Sequence, residues 1–209
     1  MKPTVMIILL LLFTGSLYSQ TDIVSWTGVQ ISAQNDDGVT LALKPIIRHN
    51  NDLSSYSNSS IDFSISKKLN NNLKVSYLFR HWWMQDDIRR VFWWFDLAHN
   101  HSFNSKLNFS NRVRWHIAMD KDIEDADFIR YYPEFKYSVA KGLNVFAGVE
   151  FWFDTDTERG IDRKRYQLGF DKKLGEKMAL NFQYWLETTD TSEFSQKIHT
   201  LVTTLKFNF

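Results

Sequence analysis

Arg80, Arg90, Arg112, Arg114, Arg130, Lys136, Arg163 and Arg165 share one face of a series of alternating segments with Asp96, Glu134, Glu150, Asp171 and Glu187. Charges of both signs at period two can pair across neighbouring strands or line a wet passage as a selectivity ring. Counting residues out from the turns puts Glu134 near Arg112, Glu150 opposite Arg165, Arg163 opposite Glu187, and Asp96 diagonal to Arg112. Asp96, Arg112, Glu134, Glu150, Arg163, Arg165 and Glu187 are therefore the candidate site. The preferred reading is an ionic ladder that fills a narrow interior, as side chains do in small barrels. The alternative is a constricted channel for small solutes. It would prefer anions, because the bases on this face outnumber the acids.

Two other groups have residue types suited to chemistry. Asp120, Asp122, Glu124, Asp125 and Asp127 form one acidic stretch, and Asp154, Asp156 and Glu158 a second. Oxygen ligands at alternate positions suit Ca²⁺, but an EF-hand needs Gly at its sixth position and Glu at its twelfth. Asp125 and Tyr131 stand there, so solvated loops are expected and no metal. The third group is His99-Asn100-His101-Ser102. Lipid hydrolases built on membrane barrels carry His two residues before Ser, a spacing absent here. A triad is judged by geometry and roles, so no enzymatic activity and no cofactor are expected.

The elements that must position these residues alternate at period two along the chain. Leu73, Val75, Tyr77 and Phe79 alternate with Lys74, Ser76 and Arg80; Leu143, Val145, Ala147, Val149, Phe151 and Phe153 alternate with Asn144, Glu150 and Asp154. Candidate strands cover 23–33, 39–49, 58–69, 72–83, 89–102, 105–118, 127–139, 143–155, 160–173, 177–189 and 194–209. Tight turns at Asn70-Asn71-Asn72, Asn104-Ser105, Lys141-Gly142 and Gly175-Glu176 recur about every 35 residues, as repeated hairpins would place them. Longer polar connections lie between them, at 84–89, 120–126, 155–160 and 188–192. Short turns at one end and longer loops at the other are the asymmetry of outer-membrane barrels. Each strand is long enough for a tilted membrane crossing of about 9–11 residues.

One face of these strands is apolar and aromatic while the other is charged. A soluble barrel would have to bury those charges at high cost, whereas lipid accepts the apolar face outward. Trp82, Trp83, Trp93, Trp115, Tyr131, Phe151 and Phe153 gather toward the loop ends, and Tyr137, Phe170, Phe207 and Phe209 toward the turn ends, as two aromatic girdles would. The expected fold is all-β: a membrane-spanning antiparallel up-and-down barrel. Single-chain bacterial barrels have even strand numbers. The expectation is therefore ten strands with 23–33 outside the meander, or twelve with one strand overlooked.

The chain ends assign a location. Lys2, the apolar run 5–13 and the small residues Gly15, Ser16 and Ser19 read as an export signal spanning 1–19, with one mature domain over 20–209. The run is too short for a membrane helix, which needs about 20 residues. At the other end Leu205, Phe207 and Phe209 share a face and close on an aromatic residue, the form of the signal read by barrel-assembly machinery. The expected location is a bacterial outer membrane, with its lipid and lipopolysaccharide as surroundings. The chain has 25 basic and 24 acidic residues. Loss of Lys2 with the signal leaves the mature charge balanced, which argues against nucleic acid as a partner. Without cysteine there are neither disulfides nor thiolate metal sites.

Certain phrases resemble a known family. They are Trp26-Thr27-Gly28-Val29, the hairpin 66–75 (SKKLNNNLKV), Arg165-Tyr166-Gln167-Leu168-Gly169 leading into Lys172-Lys173-Leu174, and the aromatic C-terminus. They are similar to the Bacteroidota outer-membrane proteins grouped as domain of unknown function 2490. Strands in that family are rich in Tyr, whereas this chain favours Trp and Phe. The resemblance implies a barrel in the outer membrane and supplies no activity and no catalytic residue. The expected role is structural or interaction-based, through the loops and the aromatic exterior.

Overall fold

The computed structural model describes residues 23–50, 52–84, 88–119, 127–155, 161–191 and 194–209; residues 1–19, expected to be an export signal, lie outside the described residues. The strands are β1 (Ile23–Gln34), β2 (Val39–Asn50), β3 (Ser55–Lys68), β4 (Leu73–Met84), β5 (Arg89–Ser102) and β6 (Leu107–Ala118). They continue as β7 (Phe128–Ala140), β8 (Leu143–Asp154), β9 (Ile161–Lys173), β10 (Met178–Thr191) and β11 (Phe194–Asn208). Each pairs antiparallel with its sequence neighbour, and β1 meets β11 to close the barrel.

That closure corrects the expectation of ten strands with 23–33 left outside. Segment 23–33 is β1, and eleven strands form the wall. An odd meander brings its first and last strands to the seam pointing the same way, so the closing pair must be parallel. Ten residue pairs hold it, from Ile23↔His199 to Ser32↔Asn208. The chain terminus adds Phe209 N–H to the Ser32 carbonyl at 2.8 Å and Gln34 N–H to the Phe209 carbonyl at 3.1 Å. The longer connection expected at 188–192 is also shorter than foreseen, because β10 runs to Thr191 and β11 begins at Phe194.

Local sequence sets the short turns. Asn70 Oδ1 accepts the N–H groups of Asn72 and Leu73, both at 2.8 Å, and Asn104 Oδ1 accepts those of Lys106 and Leu107 at 2.8 and 2.9 Å. Such Asx geometry reverses the chain without a long loop. Gly142, at φ 72°, supplies the left-handed residue of the turn between β7 and β8.

Side chains obey the alternation. Phe95, Leu97, Val113, Trp115, Ile129, Phe135 and Leu168 are exposed on the outside, while Arg80, Trp94, Arg114, Arg130, Glu150 and Arg165 are buried within. Two prolines interrupt the ladders. Proline has no N–H to donate and is normally kept to edges and bulges. The β1–β2 pairing stops at Gly28↔Ile46 and resumes at Ile31↔Leu43, around Pro45. The β7–β8 pairing stops at Tyr131↔Phe151 and resumes at Glu134↔Gly148, around Pro133. A glycine faces each gap: a Cβ on Gly28 would come within 2.9 Å of the Pro45 carbonyl oxygen, and one on Gly148 within 2.6 Å of the Pro133 carbonyl oxygen.

Candidate functional site

Most of the inward charges form two connected groups, and a smaller third surrounds Asp171. In the first, Asp62 on β3 faces Arg80 on β4, and Asp96 on β5 faces Arg114 on β6. Each pair is a fork: Nε and Nη2 of the arginine donate to the two carboxylate oxygens, all at 2.6 Å. Trp94, between them on β5, has the guanidinium carbons of Arg80 and Arg114 each 4.4 Å from its ring centroid. Planar guanidinium suits both partners, forking onto carboxylate and stacking on indole.

The second group centres on Glu150, which has no solvent exposure. It accepts from Arg112 at 2.8 Å, Arg130 at 2.7 Å, Arg165 at 3.3 Å and Trp152 Nε1 at 3.3 Å. Arg165 stands directly opposite both Glu150 and Glu187, so it links β8 to β10. Glu187 accepts two bonds from Arg165, at 2.8 and 2.5 Å, and one from Arg163 at 3.2 Å. Trp152 takes Arg130 at 3.8 Å and Arg163 at 4.6 Å over its ring. A buried carboxylate is tolerable when several donors hold it, and Glu150 meets that condition.

The structure therefore brings Glu150 to Arg165 and Arg163 to Glu187, although Arg163 lies opposite Thr189 and reaches Glu187 from two residues away. Two expected pairings are replaced. Arg112 crosses over β7 to reach Glu150, while Glu134 accepts from the Tyr132 hydroxyl at 2.9 Å. Asp96 is taken by Arg114, directly opposite, because a two-point fork outcompetes a diagonal contact with Arg112. Lys136 and Lys206 meet at Asp171, at 3.1 and 3.2 Å.

Sequence reasoning missed several interior residues. Asp62 and Arg48 lie inside, as do Trp26, Trp94, Trp152 and Trp185. Trp82, assigned to the outer girdle, also points inward, its Nε1 donating to Asn58 and its ring carrying Arg48 at 4.6 Å. The signal was available, since Trp94 and Asp96, and Glu150 and Trp152, are two residues apart and must share a face.

The remaining candidates separate by geometry. Leu205 and Phe207 pair with Val29 and Ile31 across the seam, and Phe209 is exposed at its end. His101 packs edge-on against Phe103, and the Ser102 hydroxyl donates to Asn108 rather than contacting a histidine. Of the acidic stretches, Asp120, Asp122, Glu124, Asp125, Asp156 and Glu158 lie outside the described residues. Asp127 is occupied by the backbone N–H of Ala118 at 3.0 Å. Among the described residues no group of three His, Asp or Glu is placed to hold a metal ion.

Among known proteins, the family model described as "Protein of unknown function (DUF2490)" matches residues 24–197. No curated protein and no solved structure matches the chain.

Proposed function

Because this chain belongs to that family of unknown function, we propose a role from its geometry: an exported outer-membrane barrel whose interior is filled by its own side chains and whose work is structural or interaction-based. One observation carries the reading. The barrel is apolar outside and charged inside, with Phe95, Trp115 and Phe135 about half exposed at 47%, 52% and 53% while Glu150 is 0% exposed. In water this arrangement is inverted; in lipid the apolar rows are solvated and the charges are sequestered. Arginine–tryptophan stacks and forked ion pairs occupy the cross-section that a pore would need. The loops and the lipid-facing surface are then left to meet partners.

The test is depth-resolved quenching of the protein refolded into vesicles containing brominated lipid. Trp83, Trp93 and Trp115 face outward and should be quenched, whereas a variant with only Trp94 and Trp152 should be nearly silent to the bromine. Equal quenching of both sets, or none of either, would refute the reading. A second reading, a narrow anion-preferring channel, draws on the interior cations Lys44 and Arg48, which form no ion pair with a carboxylate among the described residues. Anion-selective steps in a planar bilayer would favour it.

A further inference from the structure

We propose that the barrel interior holds an anion-binding site at Lys44, backed by Arg48, that takes a compact oxyanion of the phosphate class. Lys44 stands directly opposite Asp62 across the β2–β3 ladder, where an ion pair would be expected. Asp62 instead gives both oxygens to Arg80. The Lys44 ammonium is left with no hydrogen bond or ion pair among the described residues. Arg48, only 2% exposed, donates from Nη1 to Asn58 at 2.7 Å, and its Nε and Nη2 meet no acceptor. Its guanidinium lies between the rings of Trp26 and Trp82, at 4.2 and 4.6 Å. Three cations, half-buried Lys44 and buried Arg48 and Arg80, thus share the field of one carboxylate, and a buried guanidinium with two nitrogens unmet is costly.

The space beside Lys44 is built to take the missing charge. A cavity of about 90 Å³ is bounded there by Trp26, Gly28, Lys44, Arg80, Gln183 and Trp185. Thr204, in the same wall, carries a further hydroxyl donor. Gly28 is part of the design: a Cβ at that position would come within 3.3 Å of Lys44 Cε. The absent side chain lets the lysine lie against β1, beside the ladder gap that Pro45 creates. The cavity exceeds the space that a single water molecule needs, so it admits a compact oxyanion. Lys44 and Thr204 offer donors to oxygen, and the neighbouring guanidinium charges favour an anion.

The proposal is tested by calorimetric titration of the refolded full barrel with inorganic phosphate at constant ionic strength. Saturable binding at one site is expected, weakened more than about tenfold by Lys44→Met, as loss of a charged hydrogen bond implies. Lys177→Met, on a short turn, should leave it unchanged. Independently of any variant, phosphate should protect tryptophan fluorescence in the unmodified protein from iodide, an anionic quencher drawn to the same cations. No saturable heat, no protection from iodide, or equal binding in Lys44→Met would each overturn the site. These readouts are indifferent to conduction, so failure of the site leaves the filled interior standing, and channel activity leaves the site standing.

Discussion

Replacing Glu150 by Gln tests whether the interior ion pairs hold the barrel together. The change keeps size and one acceptor oxygen but removes the charge on which three guanidinium groups converge. Arg165 retains Glu187, whereas Arg112 and Arg130 have no other carboxylate among the described residues. Breaking a buried pair by removing one partner costs about 3–5 kcal/mol, because the remaining charge is stranded. Two stranded arginines place Glu150→Gln in that range. Glu134→Gln is the contrast: its nearest cation is Lys136 at 3.9 Å, with a side chain 35% exposed, so a loss below about 1 kcal/mol is expected. Urea unfolding of both variants in lipid vesicles, followed by tryptophan fluorescence, gives the two values on one scale. Adding Arg130→Met to Glu150→Gln should recover part of the loss. A Glu150→Gln barrel within about 1 kcal/mol of the original would refute the reasoning, since no stranded charge could then be costing what burial requires.

Further outcomes follow from the local surroundings of single residues. Gly148→Ala should destabilise by about 1–3 kcal/mol, because its Cβ would meet the Pro133 carbonyl oxygen at 2.6 Å and the Tyr132 ring at 2.7 Å. Gly175→Ala, with nothing within 4 Å, should be near neutral in the same urea titration. Trp94→Leu removes the ring on which Arg80 and Arg114 stack, and should cost about 2–4 kcal/mol of unfolding free energy. Deleting Phe209 removes both backbone bonds at the end of the β1–β11 seam and the terminal aromatic residue. The fraction showing the heat-modifiable gel mobility of a folded barrel should fall in cells.

Period two made the wall legible. It separates Phe95 and Leu97 from Asp96, and Phe151 from Glu150, without any knowledge of neighbours. Partner choice was less legible, because parity names a face but not a reach. Arg112 bypasses the adjacent strand to find Glu150, and such a contact depends on side-chain length and barrel curvature rather than on register. The interior tryptophans were obscured for a related reason. Indole suits both a lipid interface and a guanidinium stack, so composition assigned Trp82 to a girdle that its hydrogen bond to Asn58 excludes. The first strand was misplaced by a parity rule for strand number; nothing local in 23–33 announces a parallel partner almost the whole chain away.

The most direct test of the central reading is single-channel conductance of the refolded protein in a planar bilayer, beside an Arg163→Ala, Arg165→Ala double mutant. A filled interior predicts silence from the unmodified barrel and steps from the mutant, in which the links between Glu150 and Glu187 are cut. Stable steps from the unmodified barrel would contradict it and make the same charges the lining of a pore.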